Sequence, residues 1–363
     1  MNSSIKNIID IIMSDAKTVC GKMDLSALYG KKVIITGASG LLGVHFLACI
    51  KNLIKKGKDI ETIAITRSTP PSYINTLIDY GNSRFVSGDL ADSVFLRSLP
   101  SVDYIIHAAG YGQPMRFMEN PINTIMLNTV GTIGLIEKLR TNGKFLFIST
   151  SELYSGLAAS PYIESQIGTT NTDHHRACYI EAKRCGETIC NSYRQKGLYA
   201  KSARLCLAYG PGIRTGDKRV INTFIEKALL EKEINMLDYG QAIRTYCYIS
   251  DAVYMLWRIL MEGKEHVYNV GGNSRISIAE LANNIGRIVN VPVQMPDSGK
   301  AGVTGAPDDV CLDITKFEQE FHPMSFIPIN EGLSRTVEWI RGIINCTNYR
   351  VNKGSRGCQS NGH

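Results

Sequence analysis

The sequence predicts an α/β protein in which a doubly wound parallel sheet is followed by a smaller C-terminal lobe. From residue 31, short β-branched runs alternate with segments long enough for helices, and the first run leads directly into a glycine-rich turn. This alternation is typical of parallel strands joined by right-handed crossovers, with helices on both faces of the sheet. After residue 206 the alternation stops, and loops containing glycine and proline separate shorter helices.

Six runs are predicted as strands because β-branched residues are bounded by turn or helix signals. They are KVIIT at 32–36, TIAIT at 62–66, RFVS at 84–87, YIIHAA at 104–109, KFLFIST at 144–150 and YAKSARLC at 199–206. Upstream, an amphipathic helix packed on the main body is predicted at 5–16 from apolar residues at helical spacing, namely Ile5, Ile8, Ile9, Ile12 and Met13.

These patterns divide the chain into four predicted parts. An N-terminal helical extension covers 1–30, the α/β domain covers 31–206, the second lobe covers 207–345 and is partly interleaved with the first domain, and a disordered tail covers 346–363. The tail is predicted to be disordered because it has too little apolar content to fold.

Composition excludes several classes of protein. With 44% apolar residues the chain can bury a large core. The sequence contains no run of eighteen or more apolar residues, so no membrane span is predicted. The N-terminus also lacks the basic-then-apolar pattern of a signal peptide, so we expect a cytoplasmic protein. The ten cysteines are scattered, without the spacing of a disulfide framework or a zinc site, so we expect reduced thiols. The net charge of +7 comes without basic runs interleaved with aromatics, which argues against nucleic acid as a partner. Neither His174 nor His175 has a partner at metal-ligand spacing, so no metal is predicted.

The first strand runs into TGASGLLG, which places Gly37, Gly40 and Gly43 between a strand and a long helix. Bare backbone N–H groups and the positive end of the helix dipole favour an anion at such a turn. In this position the motif predicts a diphosphate-binding turn of a Rossmann-type dinucleotide domain.

The choice of nicotinamide cofactor stays open at this stage. An NAD site usually has an acidic residue at the end of the second strand, where this chain has Thr66 and Arg67 in AITRST. Arg67 suits the 2′-phosphate of NADP, or is a solvated loop charge. Asp89, after the third strand, is placed for an adenine contact or for capping a helix.

Tyr179 and Lys183 lie four residues apart in CYIEAKRCGET, so on a helix they share one face. A nearby ammonium stabilises a phenolate, which lets a tyrosine exchange a proton with a substrate hydroxyl while hydride leaves the adjacent carbon. Thr150, Ser151 and Glu152 follow the fifth strand in FISTSELYS. Ligands of parallel sheets bind at the carboxyl ends of strands, so these residues and the glycine turn are predicted to share one crevice.

These motifs together resemble the extended short-chain dehydrogenase/reductases of the nucleotide-sugar epimerase/dehydratase family. The similarity covers about residues 31 to 340 and includes the glycine turn, YIIHAAG, NPINTIMLNTVGT, STSELYS, IRTYCYISDAV and YNVGG. Within the family, RACYIEAKRCGET and GDKRVINTFI are most similar to UDP-glucuronate decarboxylases, and STSELY also resembles nucleotide-sugar 4,6-dehydratases.

The resemblance implies roles for particular residues. Tyr179 would remove the O4 proton of the sugar, Thr150 would hydrogen-bond O4, and Lys183 would hold the nicotinamide ribose and lower the pKa of the tyrosine. The cofactor, NAD by resemblance or NADP by Arg67, would be tightly bound and recycled. Besides the glycines, Arg67, Asp89 and the catalytic pair, the expected cofactor contacts are Leu41, Leu90 and Ala108.

The same resemblance places the sugar nucleotide. Arg244 in IRTYCYISD matches the position that grips the diphosphate, and Arg219 either assists it or is solvated. Asn128 matches a position near the active site, where its expected role is structural. Glu152 would be the base at C5 in a dehydratase, or else pairs with a nearby basic residue or caps a helix. Phe117 and Glu119 lie in the stretch that should meet the sugar, and an extra carboxylate there would repel a glucuronate.

The first hypothesis is therefore a nucleotide-sugar lyase that oxidises C4 and then eliminates water or carbon dioxide. A 4-epimerase or an NADPH-dependent C4-ketoreductase is the alternative among enzymes. A catalytically silent NADP-binding regulator is the alternative of another class. By resemblance the chain would form a homodimer through paired helices, one of which carries Tyr179.

Overall fold

The computed structural model describes residues 3–297 and 309–346 of the 363-residue chain. Residues 347–363 of the predicted tail lie outside the described residues. The strands are, in chain order, β1 (Lys31–Thr36), β2 (Ile60–Thr66), β3 (Arg84–Ser87), β4 (Val102–His107), β5 (Leu139–Thr150), β6 (Tyr199–Leu205), β7 (Leu207–Tyr209), β8 (Ile234–Asn235), β9 (Ile243–Tyr248), β10 (Val267–Val270), β11 (Ser274–Ser277), β12 (Val293–Gln294) and β13 (Asp309–Val310).

The helices surround these strands. They are α1 (Ser3–Gly21), α2 (Leu41–Ile54), α3 (Ser72–Asn75), α4 (Ser93–Ser98), α5 (Pro114–Glu119), α6 (Pro121–Asn128), α7 (Val130–Ile136), α8 (Ala177–Gln195), α9 (Val220–Leu230), α10 (Ile249–Glu262), α11 (Ile278–Val289), α12 (Thr315–Phe321) and α13 (Ile329–Cys346). Short 3-10 turns occupy Ser26–Leu28 and Ser151–Tyr154.

The predicted α/β fold is confirmed. Seven parallel strands form one sheet in the order β10-β6-β5-β4-β1-β2-β3. Side chains of β1 alternate between two hydrophobic clusters, with Val33 and Ile35 on one face and Ile34 on the other. A strand buried on both faces explains why these runs read as continuous β-branched segments.

The strand order reverses between β1 and β4, which are neighbours although β2 and β3 lie between them in the sequence. The connections after these two strands therefore leave in opposite directions and open a crevice at their carboxyl ends. The glycine turn follows β1 and the segment 108–113 follows β4, so both line this crevice.

A second, smaller sheet carries β11, β9 and β13, with β7 also paired to β9. It is tied to the first sheet because β6 runs almost directly into β7, and because β10 returns to pair with β6. The second lobe therefore faces the carboxyl ends of the main strands.

The helix predicted at the N-terminus is present as α1, where Ile8, Ile9 and Ile12 are buried in the main core. The buried Asp15 accepts hydrogen bonds from Tyr248 Oη at 2.7 Å and from Arg335 Nη1 at 2.6 Å. This network fixes α1 against β9 and α13, since a buried carboxylate needs such partners.

Candidate active site

The glycine turn forms a cradle in which side chains have no room. Gly37 has a φ of +65°, and a Cβ atom there would lie 2.6 Å from the carbonyl oxygen of Ala108 after β4. A Cβ on Gly43 would lie 2.4 Å from the carbonyl oxygen of Gly37. Gly40 is the N-cap of α2 and Leu41 its first residue. The turn therefore presents bare backbone and a helix N-terminus, which fit the diphosphate of a dinucleotide.

A buried hydrogen-bond chain joins the two edges of this crevice. Ala109 N donates to Thr36 Oγ1 at 3.0 Å, so the hydroxyl hydrogen is left to donate to His107 Nδ1 at 2.8 Å. Nε2 then donates to Leu127 O at 3.4 Å. Burial and, less strongly, the nearby Lys183 together lower the pKa of His107 to about 3. His107 is thus a neutral support of the crevice.

The predicted adenosine contacts lie at the ends of β2 and β3. Exposed Arg67 donates a hydrogen bond to the hydroxyl of Tyr111, which comes from the segment after β4. Asp89 Oδ1 accepts from Ala91 N at 2.9 Å and so shapes the turn before α4, while the N-cap of that helix is Asp92. Leu90 is buried in the adjacent hydrophobic cluster.

The predicted catalytic pair lies on α8, beside the end of β5. Lys183 is buried, and its Nζ donates to the carbonyl oxygen of Ile148 at 2.7 Å. A Cβ built on Gly110 would lie 3.8 Å from Nζ, so the amine borders the crevice. Burial lowers the pKa of Lys183 to about 7, while Glu187 and Cys190 oppose this shift.

The phenol of Tyr179 is brought together with residues from the end of β5. Burial raises the pKa of Tyr179 to about 12, and the Glu152 carboxylate raises it as well. A hydrogen bond with Thr150 lowers this pKa, as do the guanidinium groups of Arg176 and Arg219. The amine of Lys183, which is expected to lower this pKa, donates to the β5 backbone.

Glu152 pairs with Arg176, a residue that the sequence reasoning missed. Arg176 Nε donates to Glu152 Oε2 at 2.9 Å, and Nη2 donates to Oε1, so the pair is bidentate. About 30% of each side chain is exposed. Arg176 lies three residues before Tyr179, a spacing that places the two side chains on one side of α8 and could have identified it.

An aromatic stack closes the other side of the tyrosine. The rings of Phe117 and Tyr179 are 4.5 Å apart between centroids and within 5° of parallel. Phe117 is 1% exposed, and the guanidinium of Arg176 lies 5.6 Å from its ring. Glu119 is exposed two residues further along α5, and that spacing turns its side chain away from Phe117.

The remaining predicted residues have distinct environments. Arg219 is the N-cap of α9 and pairs with the buried Asp217 at 2.7 Å. Arg244 lies on β9 and donates to the carbonyl oxygen of Ile243 at 2.7 Å. Asn128 is fully buried, and its Nδ2 donates to Thr124 O at 2.7 Å. Ser151 begins the 3-10 turn that carries Glu152.

A membrane-crossing helix would need more apolar length than any helix in ranges 3–297 and 309–346 provides. Within the same ranges, His, Cys, Asp and Glu side chains do not gather in groups of three or more that could hold a metal ion.

Residues 33–271 match the model of the NAD dependent epimerase/dehydratase family. The chain is 30% identical to UDP-glucuronic acid decarboxylase 5 of Arabidopsis thaliana over 310 residues, which are 83% of this chain and 87% of the relative. It is 28% identical to UDP-glucuronic acid decarboxylase 1 of Xenopus tropicalis over 313 residues, 86% of this chain and 72% of the relative.

Two solved structures share the fold. A dTDP-glucose 4,6-dehydratase from Streptomyces venezuelae, solved with NAD bound, has a TM-score of 0.72 at 23% identity and covers 89% of this chain and 98% of its own. A UDP-glucose 4-epimerase from Thermotoga maritima has a TM-score of 0.71 at 23% identity, with 86% and 99% covered. The same backbone thus supports different chemistries, and the side chains of the site must distinguish them.

Proposed function

The chain belongs to the NAD-dependent epimerase/dehydratase family, and from that premise we propose that it is a nucleotide-sugar lyase that oxidises C4 and then releases carbon dioxide. The observation that carries this proposal is the grouping of Tyr179, Thr150 and the Glu152–Arg176 pair beside Lys183 and the glycine turn. Its decarboxylase relatives and its NAD-dependent family support the choice of reaction and cofactor.

The cofactor would be held by the bare turn of Gly37, Gly40 and Gly43, with Lys183 at the ribose end. When bound, the nicotinamide supplies a hydride acceptor and later a donor at C4. Tyr179 takes the proton from O4 during oxidation and returns it during reduction, while Thr150 hydrogen-bonds both the phenol and, in this proposal, the sugar oxygen. A ketone at C4 allows a carboxylate on C5 to depart as carbon dioxide, because the electron pair of the broken bond passes to the C4 oxygen as an enolate. The enolate then takes up a proton at C5, which restores the ketone.

The ion pair of Glu152 and Arg176 supports an acidic sugar. An unpaired carboxylate beside Tyr179 would repel a uronate, but the bidentate guanidinium offsets the charge of Glu152. Glu119 would repel a glucuronate less than the sequence suggests, because its side chain is exposed and turned away from Phe117. Decarboxylation therefore becomes the first choice of the two eliminations.

A 4,6-dehydratase is the second candidate, and Glu152 is the observation that favours it. Its carboxylate is close enough to Tyr179 to raise the pKa of the phenol, so it would also face the sugar carbon next to C4. A carboxylate there can remove the acidified C5 proton during loss of water.

Mass spectrometry of the purified protein with UDP-glucuronate, dTDP-glucose, CDP-glucose and GDP-mannose, with and without added cofactor, tests both candidates. Loss of carbon dioxide from UDP-glucuronate supports the decarboxylase, and loss of water from a neutral sugar supports the dehydratase. Unchanged mass with inverted C4 would mean an epimerase, and a gain of two hydrogens only with NADPH would mean a reductase. Binding of cofactor without any conversion would favour the regulator.

We further propose a homodimer in the cytoplasm. Apolar side chains are exposed on neighbouring helices α5, α6 and α7, with Ile122 at 69%, and Met118, Ile125 and Ile133 at 38% each. These helices adjoin α8, the predicted dimer helix, and burial against a second copy would remove this surface from water. Ile122→Lys is expected to convert a dimer into a monomer in light scattering after size exclusion.

The nine described cysteines form no disulfide, which fits a reducing compartment.

A further inference from the structure

An arginine from the second lobe lies on the glycine turn. Arg214 Nε donates to the carbonyl oxygen of Ser39 at 3.2 Å, and its Nη2 donates to Ser39 Oγ. Ser39 lies inside the turn, between Gly37 and Gly40, and is 7% exposed. Arg214 itself is exposed, so a ligand can reach its guanidinium while the side chain is bonded to the turn.

The backbone that carries Arg214 is fixed at several points. The carbonyl oxygen of Pro211 lies 2.8 Å from His45 Nε2, and Trp339 Nε1 donates to Ile213 O at 2.8 Å. Gly212 has a φ of +98°, and a Cβ there would lie 2.7 Å from Val44 of α2. The position of Arg214 is therefore set before any ligand binds, which reduces the entropy lost on binding.

The charge of Arg214 has no counterion within the part of the chain that the structure describes. Its hydrogen bonds go to a carbonyl and a hydroxyl, whereas Arg219 in the same loop is paired with Asp217. The guanidinium is bonded to Ser39, the residue before the N-cap of α2. A guanidinium without a counterion next to a helix N-terminus raises the local positive potential, because both groups favour an anion.

We propose that Arg214 is a binding residue for the diphosphate of the dinucleotide cofactor, contributed by the second lobe to the glycine turn of the first domain. This inference rests on the proposed function, since it names a further residue of the same cofactor site. It also means that the loop 211–219 serves both ligands: Arg214 at the cofactor end, and Arg219 close enough to Tyr179 to act on its pKa.

Calorimetric binding of ADP-ribose to protein stripped of cofactor tests the inference without relying on turnover. Arg214→Gln is expected to weaken ADP-ribose binding by about 10- to 100-fold, the usual contribution of charge-assisted hydrogen bonds, and to flatten its dependence on KCl. Arg214→Lys should recover part of the affinity. Lys218→Gln removes an exposed charge from the same loop and should bind as the wild type does.

The Ser39→Ala variant distinguishes direct binding of the diphosphate by Arg214 from a role of Arg214 in holding the glycine turn through Ser39. If Arg214 binds the diphosphate itself, Ser39→Ala keeps most of the affinity. Equal losses in both variants, with no further loss in the double variant, would overturn the proposal and make Arg214 a positioning residue. The proposal would also be overturned if Arg214→Gln left ADP-ribose binding unchanged, including the case in which this variant weakened only the binding of UDP. A wild-type protein that binds no ADP-ribose would instead refute the proposed function, and melting curves without ligand would confirm that each variant folds.

Discussion

The buried lysine of the candidate site is expected to make the stability of the ligand-free protein depend on pH. Lys183 is 4% exposed, and burial lowers its pKa from 10.5 to about 7. The unfolded chain holds this proton up to about pH 10.5, and the folded chain only below about pH 7. Between these values the unfolded state binds more protons, so the Lys183 contribution to stability rises with pH. Below about pH 7 the amine is charged in the folded protein as well, so the full cost of burying its charge lowers the stability.

The shift sets the size of the effect. A fall in the pKa of Lys183 from 10.5 to about 7 corresponds to at most about 5 kcal/mol of unfolding free energy. Lys183→Met removes the titrating group. The free energy of unfolding of this variant should therefore exceed that of the wild type most at low pH. The difference in unfolding free energy between the variant and the wild type should decrease by about 1.4 kcal/mol per pH unit between pH 7 and 10. Other titrating groups contribute to both proteins and cancel in the difference.

Urea unfolding of the ligand-free proteins between pH 6.5 and 9.5 measures this difference. Trp257 and Trp339 are both buried, so their fluorescence reports the loss of the core. Lys218→Met, at an exposed position, is the matched control and should give a constant difference from the wild type across the range. A constant difference for Lys183→Met as well would refute the argument, since it would mean that the buried amine keeps its ordinary pKa.

The remaining predictions concern the reaction and the glycine turn. Tyr179→Phe should lower turnover about 100-fold or more while the protein keeps its cofactor, as measured by extraction of the dinucleotide. Glu152→Gln should block release of a dehydratase product but allow C4 oxidation, seen as absorbance of reduced nicotinamide. Arg176→Ala should slow product formation about 10- to 100-fold, because it removes two charge-assisted hydrogen bonds to the carboxylate, whereas Arg184→Ala on the same helix should not. Gly37→Ala should lose about 2 kcal/mol or more of unfolding free energy in urea titrations, because a Cβ at positive φ meets backbone.

The sequence was sufficient for the sheet because its signals are local. Val33, Ile34 and Ile35 are apolar in succession and β-branched, as is typical of a strand buried on both faces. The glycine turn was predictable for the same reason, since a strand, three glycines and a helix follow one another within a few residues. The strand ends were predicted less accurately, since β5 begins at Leu139, five residues before the predicted run.

The partners of the site residues could not be predicted because they come from distant parts of the chain. Glu152 and Arg176 are 24 residues apart, and Ser39 and Arg214 are 175 apart. A side-chain contact across such separations depends on how the second lobe sits on the sheet. The sequence allows Glu152 to pair with a nearby basic residue, but only the fold identifies that residue as Arg176.

The two perturbed groups on α8 indicate how the site would become active. In the ligand-free protein the pKa of Tyr179 is about 12 and that of Lys183 about 7, so near neutral pH the phenol is protonated and the amine is about half neutral. The proposed reaction needs the reverse combination, a phenolate beside an ammonium. Moving a proton from the phenol to the amine across about 5 pKa units costs about 7 kcal/mol before the attraction between the new charges is counted. In the proposed reaction ligand binding would offset this cost, since a cationic oxidised nicotinamide would favour the phenolate and a ribose hydroxyl would give the ammonium a new acceptor. The proton arrangement needed for catalysis is therefore expected to form only in the complex, and the pH dependence of turnover should differ from the titration of Lys183 in the free protein.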